Sequence, residues 1–328
     1  MSAAGPPQGA NGTPSGGSAA AAAASVGAVH RRPRGIGIYA PAGFALTPGA
    51  LDRAVGRLEA MWERVIVDPT CTQRWQRFAA TDDDRLAAVM RMADDPRIDL
   101  ALPLRGGYGW TRLLPRLDFR ALAAAGKQWI GYSDFTAFAL AALAQSGMTT
   151  FAGPMASGDF GAEVPSAFTF DHCFGVLDQP RHEVASTLEG PDVACAGTLW
   201  GGNLALVAHL VGTPYLPQVD GGILFLEDIG ESPYRVERLL YQLHHAGILA
   251  RQRAILLGRF TGYTLTESDG GYELRDAVAH LRAICPVPVL TGLPFGHVPD
   301  KLTLPVGGQC ALALKDGVAT LAFSDYGR

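Results

Sequence analysis

The sequence predicts an α/β protein with an N-terminal parallel-sheet domain and a smaller mixed α/β domain after it. Two observations carry this. From residue 35 short apolar runs alternate with stretches of helical period, and strands separated by helices of that length imply a parallel sheet covered on both faces. The C-terminal end reads instead as a hairpin, with a turn at Asp316-Gly317.

In the first half, Gly35 to Ala40 is a buried strand, and Thr47 is placed to cap a helix with Leu51, Val55, Leu58 and Met61 on one face. Arg64 to Val67 is the second strand. Thr81 and the acidic run Asp82-Asp83-Asp84 start a helix bearing Leu86, Val89 and Met90. Asp99 to Leu104 and Gln128 to Gly131 are the third and fourth strands. A helix from Asp134 to about Gln145 follows, then a fifth strand at Thr149 to Ala152. Residues 156–195 are broken by Gly158, Gly161, Pro165, Pro180 and Pro191 and read as a connector with little regular structure. Beyond it come a helix from Leu204 to Val211, a strand from Gly222 to Leu226 and a helix opened by Ser232-Pro233. A strand from Ala254 to Gly258, a helix within Gly271 to Ile284 and the final hairpin complete the chain. The domain bounds are therefore a tail at 1–33, a first domain at 34–155, the connector at 156–195 and a second domain at 196–328.

Composition narrows the function. The 328 residues carry a net charge of -4, which argues against nucleic acid as the main partner, because phosphate binding needs a basic surface. No run is long and apolar enough to span a bilayer. The five cysteines are scattered, without a CxxC pair, which fits buried thiols in a reducing, cytoplasmic compartment and no disulfide framework or zinc site. The first thirty residues, rich in Ala, Gly, Ser and Pro, read as disordered. Their apolar stretch precedes Arg31, Arg32 and Arg34, the reverse of a signal peptide; a twin-arginine export signal is the minor alternative.

Ligands of such sheets bind beyond the carboxyl ends of the strands. Three polar features fall at such ends: Arg105-Gly106-Gly107-Tyr108-Gly109, Ser133-Asp134 and Glu227-Asp228. Gly296-His297 follows the apolar segment Val287 to Phe295. A serine at a strand-to-helix turn projects its hydroxyl, and the helix behind it offers free N–H groups to an oxyanion. However, the turn Gly131-Tyr132-Ser133-Asp134-Phe135 matches the general GxSxG elbow only in part, so Ser133 as a mere helix cap stays open. The glycine run reads as a phosphate loop, an oxyanion contributor or a plain turn; it has neither a Walker lysine nor a full GxGxxG. A carboxylate at Glu227 or Asp228, with Glu231 as competitor, would orient a histidine or pair with Arg235 or Arg238. No histidine–carboxylate spacing suggests a metal.

Together these segments resemble the LD-carboxypeptidases, serine peptidases that trim murein tetrapeptides, and their relatives the microcin C immunity hydrolases. Five segments match in the family's order: Arg105 to Gly109 with Arg112-Leu113-Leu114; Gly131 to Asp134; Gly197 to Leu204; Leu226-Glu227-Asp228 with Tyr234-Arg235; and Pro294 to His297. The resemblance implies a first domain like that of class I glutamine amidotransferases and a site between the domains. It implies Ser133 as nucleophile, His297 as general base and Glu227 as its orienting carboxylate, with Gly107 and Asp134 N–H groups forming the oxyanion hole. Arg105, Trp200 and Asn203 are the expected substrate contacts. The implied reaction releases D-alanine from meso-diaminopimelate in murein peptides during cytoplasmic cell-wall recycling, by a homodimer needing no cofactor or metal. The alternatives are a hydrolase of peptidyl-nucleotides or other acyl amides, and a non-catalytic binding module in which Ser133, Glu227 and His297 would not converge. The immunity hydrolases have a longer loop between nucleophile and glutamate, and this chain shows no such extra segment.

Overall fold

The computed structural model describes residues 32–327. The tail expected at 1–33 lies, up to residue 31, outside the described residues, as does Arg31 of the export alternative. The first sheet is built from β1 (Arg32–Tyr39), β2 (Trp62–Val67), β3 (Leu100–Pro103), β4 (Gln128–Gly131) and β5 (Thr150–Ala152). The order is β2-β1-β3-β4-β5, all parallel, so the topology switches direction between β1 and β3. The connecting helices are α1 (Ala50–Met61), α2 (Asp82–Asp94), the short α3 (Trp110–Leu113) and α4 (Phe119–Ala124), and α5 (Phe135–Ser146).

Two helix starts show what periodicity resolves and what it misses. Thr81 caps α2 as expected, its side chain accepting from Asp84 N–H. Thr47 does not cap α1: the cap is Gly49, in the left-handed region at φ 69°, and Thr47 contributes only its carbonyl, to Ala50 N–H. The buried face of α2 is also displaced. It includes Arg85, fully buried, because its guanidinium reaches the carbonyls of Pro41 and Gly109 and the carboxylate of Asp82.

The stretch 156–195 is not an irregular connector. It holds a π-helical turn (Ala156–Phe160), the helix α6 (Ala167–Asp178), the strand β6 (His182–Thr187) and the start of β7 (Val193–Asn203). Ser166 caps α6 by accepting from Thr169 N–H. The prolines and glycines fall mainly between these elements, where they separate rather than prevent them.

The second sheet adds β8 (Ile223–Ile229), β9 (Ala254–Thr261), β10 (Val289–Thr291), β12 (Gln309–Lys315) and β13 (Val318–Ser324), with β11 (Leu304–Val306) lying between β10 and β12 in sequence. Its order is β10-β9-β8-β7-β12-β13-β6, parallel from β10 to β7 and antiparallel thereafter. The helices are α7 (Leu204–His209), α8 (Pro233–His245) and α9 (Leu274–Ile284). Strand β11 pairs antiparallel with β5 and so completes the first sheet from the far end of the chain.

Helix α5 is central. Phe135 through Ala142 are all buried, so the helix has no wet face along that stretch. It packs on β5 and β11 of the first sheet and on β7 of the second. Phe138 stacks against Trp110 at 4.4 Å between ring centroids and against Trp129 at 5.3 Å. The turn that carries Ser133 leads directly into this buried stretch of the helix.

Candidate active site

Strand β4 ends at Gly131, and the chain turns sharply into α5 through Tyr132, Ser133 and Asp134. Gly131 is required by space: a Cβ there would lie 2.8 Å from the Phe135 ring and 2.9 Å from Pro103. Ser133 sits at φ 63°, a left-handed conformation that a non-glycine residue rarely adopts. Such strain persists only where the surroundings enforce it, and it clusters at functional positions. The turn is thus a sharp elbow, although it lacks the last glycine of the general pattern.

The glycine run after β3 lies directly against this elbow. A Cβ on Gly106 would stand 2.9 Å from Ser133 Cβ, 3.0 Å from its Oγ and 3.5 Å from Asp134 N. Only a residue without a side chain fits there, and its backbone walls the serine. Gly107 follows at φ 113°, exposed. Arg105 folds back over the run, and its Nη1 donates to the carbonyl of Phe44 at 3.3 Å. Buried Arg85 holds the end of the run by donating to Gly109 O at 3.1 Å. Asp134 is buried; Trp110 N–H donates to its Oδ2 at 3.0 Å, while Oδ1 has no partner. Burial pushes its carboxyl up to about 6.

Glu227 comes from strand β8 of the second sheet, and His297 from the irregular segment that follows β10. Glu227 lies near the end of β8, fully buried, beside a register shift between β8 and β9. Between the pairs Leu226–Leu257 and Asp228–Phe260, the single residue Glu227 of β8 lies opposite two residues of β9, Gly258 and Arg259. This bulge re-aims the strand end. It also lets Arg259 N–H bind Phe295 O at 2.8 Å, which fixes the segment leading to His297. Gly296 then turns at φ 138°, where a Cβ would be 2.9 Å from Arg259 O and 3.2 Å from Glu227 Oε2. The result is a hydrogen bond from His297 Nδ1 to Glu227 Oε2 at 2.8 Å. The imidazole stands edge-on to Tyr132, the residue before Ser133, with ring centroids 5.0 Å apart.

The carboxylate is anchored from behind. Asn203 Nδ2 donates to Glu227 Oε1 at 3.3 Å and to Asp228 Oδ1 at 2.8 Å. Asp228 in turn accepts from Ala205 N–H at the start of α7. Asn203 N–H donates to Thr136 Oγ1 at 3.0 Å, tying the end of β7 to the first turn of α5. The competitor Glu231 pairs with Arg235 at 2.5 Å. Among the described residues, no group of three or more His, Cys, Asp and Glu side chains could hold a metal ion.

Two expected substrate contacts are placed otherwise. Trp200 is buried, and its Nε1 donates to Gln252 Oε1 at 2.9 Å within the second sheet's core. Asn203 is buried too; its amide donates to the two carboxylates and its Oδ1 accepts from Leu206 N–H as the cap of α7. These bonds anchor the Glu227 carboxylate from behind. Sequence reasoning singled out the glycine run but not Gly106 as the residue against the serine, and it missed Thr136 and Arg85. The apolar run of α5 is the only local signal that could have pointed to the first turn of that helix.

A strained serine elbow walled by glycine backbone, with a histidine–glutamate pair delivered beside it from the second half of the chain, has the features of a serine hydrolase. The comparisons name the group: the LD-carboxypeptidase N-terminal domain matches residues 36–153 and the LD-carboxypeptidase C-terminal domain residues 196–312, so the chain belongs to the LD-carboxypeptidase family of serine-type peptidases. It is similar to the murein tetrapeptide carboxypeptidase of Pseudomonas aeruginosa, at 32% identity over 84% of this chain and 92% of that protein. The crystal structure of muramoyltetrapeptide carboxypeptidase from Oxalobacter formigenes is 44% identical, with a TM-score of 0.84 over 90% of this chain and all of that one. The microcin C7 self-immunity protein MccF shares the fold, at 22% identity and a TM-score of 0.81 over 92% of this chain and 98% of that one.

Proposed function

We propose that Ser133, His297 and Glu227 form the catalytic triad of an LD-carboxypeptidase that removes the terminal D-alanine from meso-diaminopimelate of murein tetrapeptides, in cytoplasmic cell-wall recycling. The observation that carries this is the His297–Glu227 hydrogen bond, made beside the elbow of Ser133. With Nδ1–H donated to the carboxylate, Nε2 keeps the lone pair needed to accept the serine proton.

The steps follow from that arrangement. Ser133 Oγ attacks the scissile carbonyl as His297 Nε2 takes its proton. The oxyanion is met by the N–H groups of Asp134 and Gly107, at the start of α5 and in the glycine run. His297 returns the proton to the amine of departing D-alanine, and water hydrolyses the acyl-enzyme through the same base. Arg105, beside the elbow, supplies the guanidinium for the terminal carboxylate of the substrate. The enzyme works as a homodimer.

The test is to incubate the protein with murein tetrapeptide and measure free D-alanine. Wild type should release it, and Ser133→Ala, folded by circular dichroism, should not. Release by that variant at the wild-type rate would overturn the nucleophile. Cleavage of an aminoacyl sulfamoyl nucleoside with no attack on the tetrapeptide would move the substrate to the acyl-amide class.

A further inference from the structure

Against His297 lies a cavity of about 250 Å³ to which the proposed reaction assigns no part of the substrate. Its wall includes Tyr132, Asp159, Thr169, Phe170, His297 and Lys301. Two of these are opposite charges taken out of water: Lys301 and Asp159 form an ion pair, and each is more than nine-tenths buried. The Lys301 ammonium also lies 4.9 Å from the centroid of the Tyr132 ring, whose other neighbour is the imidazole of His297. Thus the charges, the aromatic ring and the histidine form one continuous wall.

The pair is held rigidly. Lys301 N–H donates to Thr169 Oγ1 at 2.9 Å, and Thr169 Oγ1 donates to Pro299 O at 2.7 Å. Asp159 Oδ2 accepts from Met155 N–H at 2.8 Å, which leaves its other oxygen to the lysine. A buried ion pair is weak evidence for stability, because desolvation offsets much of its attraction. One that lines a hollow presents an ammonium and a carboxylate side by side. That is the complement of a group carrying both charges in the reverse sense.

We propose that this cavity receives the α-ammonium carboxylate head of an amino acid, its carboxylate toward Lys301 and its ammonium toward Asp159. In a murein tetrapeptide that group is the free end of the diaminopimelate side chain; after cleavage, released D-alanine carries the same head. The inference rests on the murein reading for the first of these sources. The cavity would then select diaminopimelate over lysine at the third position, since lysine brings an ammonium and no carboxylate.

Wild-type enzyme, with no mutation needed, should show kcat/KM higher by roughly tenfold or more for the diaminopimelate tetrapeptide than for its lysine counterpart, mainly through KM. In Lys301→Met that ratio should collapse toward one. The double variant Asp159→Asn with Lys301→Met, which leaves no unpaired buried charge, should behave likewise if the single variant is poorly folded. If D-alanine is the occupant, it should inhibit wild type competitively at millimolar concentration and Lys301→Met more weakly, with no preference between the peptides. Equal kcat/KM for both peptides together with no D-alanine inhibition overturns the inference while leaving the murein reading intact. Release from neither peptide overturns both.

Discussion

Glu227 and His297 stand 70 residues apart in the chain, yet His297 Nδ1 lies 2.8 Å from Glu227 Oε2. That contact depends on a bulge in β9 and on a glycine turn just before the histidine. The carboxylate therefore belongs to the scaffold of the second sheet, and the imidazole is delivered to it.

Glu227→Gln keeps the shape and removes the charge that holds the Nδ1–H tautomer. The expected result is a fall in kcat of roughly two to four orders of magnitude, with KM changed only a few-fold. Steady-state D-alanine release measures both. A loss carried mainly by KM would mean that Glu227 contacts substrate instead.

Gly106 abuts the serine. Gly106→Ala places a methyl about 3 Å from Oγ, so the serine must shift or the run must open. Displacements of this size cost roughly a hundredfold in rate. The melting temperature should move little, because both segments border the site. Unaltered kcat would show that the wall is not close-packed in solution.

The strain at Ser133 separates two inactive variants. Ser133→Ala keeps a Cβ at φ 63°, whereas Ser133→Gly relieves it. The glycine variant should be the more stable of the two by about 1 kcal/mol in urea titration, and both should be inactive. Equal stabilities would place the strain elsewhere.

Asp134 gives a pH signature. Its carboxyl rises from 3.8 to about 6 on folding, chiefly through burial, so the folded state binds the proton more tightly than the unfolded chain. The native form is favoured while the group is protonated. That advantage declines as pH rises from about 4 to about 6, and above this the buried charge is a constant cost. Asp134→Asn removes the titration. The stability of the variant relative to wild type should climb through that window by at most about 3 kcal/mol and then level off. Thermal melts of both proteins between about pH 4 and pH 8 check this; a flat difference would refute it.

What was legible in the sequence is what local pattern encodes. The hairpin at Asp316-Gly317 and the strands Leu100–Pro103 and Gln128–Gly131 needed only period and turn chemistry. Strand β6 was not legible, because it pairs with β13 at the far end of the chain. Nor could Arg85 or Lys301 be read as buried. A charge goes inside only when distant partners meet it, here the carbonyls of Pro41 and Gly109 and the carboxylate of Asp159. Glu227 and His297 were found by motif order, but the bulge that joins them has no local signature. Trp200 and Asn203 belong to a matching motif whose side chains turn inward, which a motif alone does not reveal.

Strand β11 gives the two halves a shared fate. Residues Leu304–Val306 reach the edge of a sheet whose other strands were all made by residue 152. During synthesis that edge stays bare until β11, far downstream of β5, has left the ribosome. A truncated product ending before β11 would expose the open side of β5, an invitation to pair with a neighbour. Expressing the first half by itself should therefore give aggregates rather than a working module.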